Sequence, residues 1–186
     1  MGVCGEPNFA KFKEIRMKRF LGVLAVCGLA FFGCASMMTT NERWAMSALY
    51  SIKTTNMNDI RGNLEMEELL IWKHVRTNDN RIILLSRGTQ NTETAYNLVI
   101  DYLGRDWLYI DTLMLRIDDG GIITLKDASP SRSVDSRAFA REVVNFQIDS
   151  EILNLLRNCN SITLQFAGDP IVIPPEGITA IREFLN

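Results

Sequence analysis

The chain is poor in the residues that most enzymes and metal proteins rely on. It has one histidine, His74. A lone imidazole builds neither a zinc site nor a Ser-His-Asp triad without partners, and none stands at a matching spacing. Gly-x-Ser-x-Gly, His-Glu-x-x-His, Cys-x-x-Cys and phosphate-cradling glycine loops are all missing. The net charge is −2, with no basic stripe, so nucleic acid is not an expected partner. Neither a metal nor a cofactor is expected. There is no internal repeat and no low-complexity tract. The strongly apolar run, residues 20–33, covers about 21 Å as a helix, against roughly 30 Å of bilayer hydrocarbon.

That run is the most informative stretch present. Residues 17–34 read MKRFLGVLAVCGLAFFGC. Lys18 and Arg19 precede the run, and Lys11, Lys13 and Arg16 extend the basic flank upstream. Small or polar residues follow at once: Gly33, Cys34, Ala35 and Ser36. A basic flank, a short apolar core and small residues make an export signal. Met17 is its natural start, and residues 1–16 read as a mis-assigned upstream extension. Glu6 stands where a myristoylation motif needs Ser or Thr, so the opening Met1-Gly2 is not read as an acylation site.

Phe31-Phe32-Gly33-Cys34 resembles the lipobox of bacterial lipoproteins, with Phe31 departing from the aliphatic residue usual at that place. The resemblance implies cleavage between Gly33 and Cys34. It implies a diacylglycerol on the Cys34 thiol and a fatty chain such as palmitate on the new amino terminus. A thiolate is the nucleophile such chemistry needs. A lipid anchor to the membrane of a bacterial cell envelope follows, with the domain outside the cytoplasm. Ala35-Ser36 lacks the Asp that holds some members of the class at the inner membrane, which favours the outer one. An uncleaved anchor helix is the alternative, since residues 20–41 carry no charge. Both readings keep the basic flank inside.

Three regions follow: a signal over residues 1–33, an attachment site with a short helix and linker over 34–63, and one α+β domain over 64–186. The first 33 residues hold five basic side chains and two acidic ones, so the remainder carries −5. After cleavage at Cys34, Cys159 has no partner for an internal disulfide, and packing must stabilise the domain. Cys159 itself reads as a buried, inert thiol.

Trp44, Ala45, Ala48, Leu49 and Ile52 recur at helical spacing and predict an amphipathic helix within residues 39–53, docked on the domain, with the lipid surface as the alternative. Residues 54–63 read as a polar loop. Apolar runs at 69–75 and 81–86 around the turn formers at 77–80 predict a hairpin, with the end of a helix beginning near Glu65 as the alternative for the first run. Residues 88–94 read as a loop. Strands are expected at 96–103 and 107–117, the second with a bulge at Asp111-Thr112 where the parity shifts. Asp118-Asp119-Gly120-Gly121 turns the chain into a strand at 122–126, and 127–136 reads as an irregular Ser/Pro-rich loop. A strand at 142–148 precedes a helix at 151–158, capped by Asp149 or Ser150, with Ile152, Leu155 and Leu156 on one face. Strands at 162–166 and 171–173 and a last helix at 176–185 complete a mostly antiparallel sheet with two C-terminal helices packed on one face.

Few side chains then qualify for a site. Arg132 and Arg137, beside Ser129, Ser131, Ser133 and Ser136, are candidates for binding an anion or a peptide carboxylate. Asp101, Asp106 and Asp111 are candidates for acid–base work on a glycan, with Asp101 and Asp111 facing one another. Solvated acids are the favoured reading, because nothing fixes the carboxyl separation that the chemistry requires. Asp118-Asp119 lacks the spaced ligands of a calcium loop. Trp72, Trp107, Tyr96, Tyr102 and Tyr109 suit core packing, or the wall of a groove. The expectation is a non-enzymatic binding or assembly module for a protein, peptide or envelope component. The rivals are an envelope hydrolase and a structural tether.

Overall fold

A computed structural model describes residues 40–59, 62–126, 130–135, 137–168 and 170–186. The export run, Gly33 and Cys34 lie outside the described residues, as do Ser129 and Ser136. The fold is α+β and mostly antiparallel, with two helices at its C-terminus. Among the described residues, no helix is long and apolar enough to cross a membrane.

The strands form two sheets rather than one. The larger has the order β1-β2-β3-β4-β8-β7, from Ile52–Asp59, Gly62–Arg76, Asp79–Gln90, Glu93–Gly104, Ala140–Ile148 and Ser131–Val134. The smaller has the order β10-β9-β5-β6, from Ile171–Ile173, Ile162–Gln165, Thr112–Ile117 and Ile122–Lys126. Every pairing is antiparallel. Among the described residues, three helices accompany them: α1 (Thr40–Met46), α2 (Ser150–Asn158) and α3 (Pro175–Leu185).

Strand alternation assigns side chains to two cores. Ile83 and Leu85 of β3, Leu98 and Ile100 of β4, and Val144 and Phe146 of β8 face the smaller sheet and α2 and α3. Leu113, Leu115 and Ile117 of β5, Ile162 and Leu164 of β9, Ile152 and Leu156 of α2, and Ile178, Ile181 and Phe184 of α3 meet them. A void of only about 10 Å³ remains where Ile71, Leu98, Leu115 and Ile181 converge. It is apolar and too small to hold water comfortably. The intervening residues Leu70, Ile82, Leu84 and Val99 face the other way and pack under Trp44 of α1.

Several expected boundaries move. Residues 54–59 and 62–63, expected as loop, are strand: β1 pairs with β2 from Ile52↔Leu69 to Asp59↔Gly62. The Glu65 region is likewise strand, in β2. Residues 88–94 continue β3, turn at 91–92 and open β4. Both hairpins turn on an Asn with positive φ, Asn78 and Asn91, a conformation Asn tolerates better than most side chains. The bulge falls at Ile71, between Leu70↔Leu84 and Trp72↔Ile83. No bulge occurs at Asp111-Thr112, because β5 begins only at Thr112. The helix expected within 39–53 ends at Met46, and Leu49 and Ile52 are exposed. The irregular loop at 127–136 contains β7. Leu155 is also exposed rather than on the inner face of α2.

Local chemistry explains the helix ends. Asp149 caps α2, its Oδ1 accepting from the Ile152 N–H at 2.8 Å. Pro175 opens α3, where its missing N–H costs nothing. Lys73 Nζ donates to the carbonyls of Ala45 and Ser47 at 2.9 and 2.7 Å, placing a cation at the C-terminal end of α1.

Candidate functional site on the smaller sheet

The smaller sheet buries one face and leaves the other to solvent. Leu113, Leu115 and Ile117 of β5 point inward, so Met114 and Arg116 point outward. The register carries that outer face across four strands. Arg116 stands opposite Ile122 of β6 and Thr163 of β9, and Thr163 stands opposite Val172 of β10. The row therefore reads Ile122–Arg116–Thr163–Val172. Beside it runs Thr124–Met114–Gln165.

This solvent-facing side carries three large apolar residues among polar ones. Ile122 is 68% exposed, Val172 69% and Met114 37%. A shallow depression of about 130 Å³ runs among Met114, Arg116, Ile122, Thr163, Gln165 and Pro170. Isolated exposed aliphatics are ordinary; several on one sheet face beside a depression make that face the candidate site. The outward positions also carry Arg116 and Lys126 and no carboxylate. Asp118, at the end of β5, turns away: its Oδ1 accepts from the N–H groups of Asn160 and Ser161 at 2.7 and 2.8 Å. Those two bonds hold its carboxyl below the ordinary aspartate value.

The residues singled out in the sequence lie elsewhere, mostly in structural roles. Arg132 is held by Glu142, which the sequence did not single out and which is wholly buried, organising the chain between β4 and β5. Glu142 Oε1 accepts from the N–H groups of Leu108 and Tyr109, and its Oε2 from that of Ile110 at 3.0 Å. Arg132 Nε adds a contact to Glu142 Oε2 at 3.1 Å, and its Nη2 donates to the Ile110 carbonyl. Arg137 is bound to Asp135 at 2.9 Å and to Glu42 of α1 at 2.6 Å. Both candidate anion-binding guanidiniums are thus already engaged by carboxylates.

Asp101 does not face Asp111. It pairs across the larger sheet with Ile82 and Val143, its side chain on the face covered by α1. There it is buried and bound by Arg141 Nε and Nη2 at 3.2 and 2.9 Å, and by Asn41 Nδ2. Asp111 is exposed just before β5, and Asp106 is exposed with its carbonyl accepting from the Tyr102 hydroxyl. His74 stacks on Trp72, with ring centres 6.1 Å apart. Tyr109 is exposed, and the Arg132 guanidinium lies 5.6 Å from its ring centre. Cys159 is buried, as expected, and its thiol is pushed up by burial. Among the described residues, no three His, Cys, Asp or Glu side chains cluster as metal ligands.

The titratable group in the least usual setting was not legible in the sequence. Glu68 of β2 lies beneath α1, where it accepts a hydrogen bond from Trp44. Burial, reinforced by the neighbouring Asp101, raises it to about 7, with Lys53 and the Trp44 bond opposing. The outward row was missed as well. Its signal was present in the alternation of Leu113, Met114, Leu115 and Arg116, which marks one inner and one outer face.

No protein-family description, curated protein or solved structure matches this chain.

Proposed function

We propose that this chain is a lipid-anchored binding module of a bacterial cell envelope, tethered through Cys34. It offers the outer face of the smaller sheet to a protein partner. The observation that carries the binding reading is the row Ile122–Arg116–Thr163–Val172, with its exposed aliphatics and its groove. The basic flank, short apolar run and lipobox-like residues 31–34 support the tether. Acylation at both the thiol and the amino terminus gives durable membrane residence, whereas one chain binds marginally. A tethered domain also meets other envelope components at raised effective concentration. Of the carboxylates considered for hydrolysis, Asp101 is buried and bound by Arg141 and does not meet exposed Asp111, which favours binding over acid–base chemistry.

Two measurements test the two halves. Intact-mass analysis of membrane-extracted protein should give a leaderless chain with a lipid-sized increment that vanishes in Cys34→Ser. A cytosolic, unacylated chain with its leader intact would overturn the anchor. A photo-crosslinking residue at Ile122 should give a discrete adduct in cells, and one at exposed Leu155 should not. Equal labelling at both positions would overturn the binding surface.

A further inference from the structure

The smaller sheet ends in two edge strands, β10 and β6. They are not equivalent. β10 is three residues long, with Pro170 before it and Pro174 after it. Short, proline-flanked edges resist pairing. β6 is five residues long, Ile122-Ile123-Thr124-Leu125-Lys126, with no proline. Among the described residues, no strand pairs with its outer side. Ile122, Thr124 and Lys126 are exposed on the outer face, and Leu125 faces the core. Behind Ile122, on the next strand, stands Arg116, which makes no ion pair among the described residues.

From this geometry we infer that β6 accepts an added strand from another envelope protein, an extended segment with an apolar side chain facing Ile122 and a carboxylate facing Lys126. The inference rests on the binding reading above and names its partner. An incoming antiparallel strand would satisfy the unpaired N–H and C=O groups of β6. Side chains directly opposite on one face lie close enough to interact, so Ile122 selects an apolar neighbour and Lys126 an acidic one. The two selected positions are four residues apart on the incoming segment and share a face, as strand periodicity requires. Arg116 reinforces the preference for negative charge. A second copy of this chain fits less well. Its own β6 would bring Lys126, and its face Arg116, with no outward carboxylate to meet either.

The test uses the full chain in detergent and a fluorescein-labelled peptide with the core Glu-Val-Thr-Val-Val, read by polarisation. This peptide should bind, and replacing its Glu by Lys should weaken binding roughly fivefold or more. Lys126→Glu should reverse that preference, so the Lys peptide then binds better than the Glu peptide. N-methylation of the peptide amides on one edge should abolish binding by either peptide. Indifference to peptide charge, survival of binding after N-methylation at each edge in turn, or no binding at all would overturn the inference. A chain that dimerises on a sizing column, and is dissociated by the peptide, would assign the edge to a second copy and overturn it too. A discrete Ile122 crosslink in cells, with no peptide binding, would leave the binding reading standing and remove only strand addition.

Discussion

Lys53 Nζ lies 3.8 Å from the centre of the Trp44 ring, a cation held over the indole that seals the outer core of the larger sheet. The same indole bonds to Glu68, and Asp101, Arg141 and Asn41 complete a polar layer beneath α1. Lys53 is itself shifted down, by burial and then by Arg43, with Glu68 opposing. A carboxyl raised to about 7, a lysine shifted down and an indole therefore sit together beneath α1.

Glu68 makes folding pH-dependent. Its value rises from 4.5 to about 7 on folding, so between those limits the folded chain binds the proton more tightly than the unfolded one. Stability then falls as pH rises through that window, by at most about 1.4 kcal/mol per pH unit from this group. Glu68→Gln should flatten this contribution. Urea titrations at a series of pH values should show the variant gaining on the wild type as pH rises to 7, and a constant difference would refute the assignment.

Trp44 carries most of the apolar contact made by α1. It is 1% exposed over Leu70, Ile82, Leu84 and Val99. Trp44→Ala should cost about 3–5 kcal/mol, the range for losing a large buried aromatic. Hydrogen exchange should also rise across residues 40–46 well before the larger sheet opens. A cost under about 1 kcal/mol would mean that α1 is not packed as described.

Glu142 is the staple of residues 108–110. Glu142→Gln keeps the shape but replaces an acceptor by an NH₂ group facing backbone donors or Arg132. A loss of about 2–3 kcal/mol is expected, as for hydrogen bonds to a charged group left unmade. The Leu108, Tyr109 and Ile110 amides should lose protection first. Unchanged exchange at those three positions would sink the prediction.

Asp118 acts with the opposite sign to Glu68. Its carboxyl is depressed by two backbone N–H bonds, so its stabilisation is full above the ordinary value of 3.8 and is lost as pH falls through the lowered one. Asp118→Asn should melt lower than the wild type at pH 7, and the gap should close in strong acid. A gap that persists at pH 2 would assign the effect to shape rather than charge.

Cys159 should resist alkylation in the native protein. It is 1% exposed, its Sγ donates to the Leu156 carbonyl, and burial raises its thiol. Modification by a maleimide at pH 7.5 should track global unfolding as urea is added. Prompt labelling without denaturant would contradict the buried placement.

The C-terminal third was legible because each of its elements carries a local signal: the Asp149 cap, the alternation from Ile162 to Phe166, and the paired prolines before α3. The far ends of β1, β2 and β3 were not. There one face is polar, with Thr54, Asn56 and Glu65 exposed, while Leu64 and Met66 alternate with them. Polar strands of this kind look like loop, because periodicity needs apolar residues to be seen. Residues 107–111 failed for another reason. Their conformation is imposed by Glu142, about thirty residues away, and no local pattern encodes a contact at that range. The split into two sheets is hidden likewise, since antiparallel strands of either sheet alternate in the same way.

The seat of α1 has a mechanical consequence. Any pull on the chain ahead of Thr40 meets Trp44, the Asn41–Asp101 bond and the Lys73 grip on the helix end before it reaches β1. Under tension the domain should yield this short helix first, lengthening its leash while every strand stays paired.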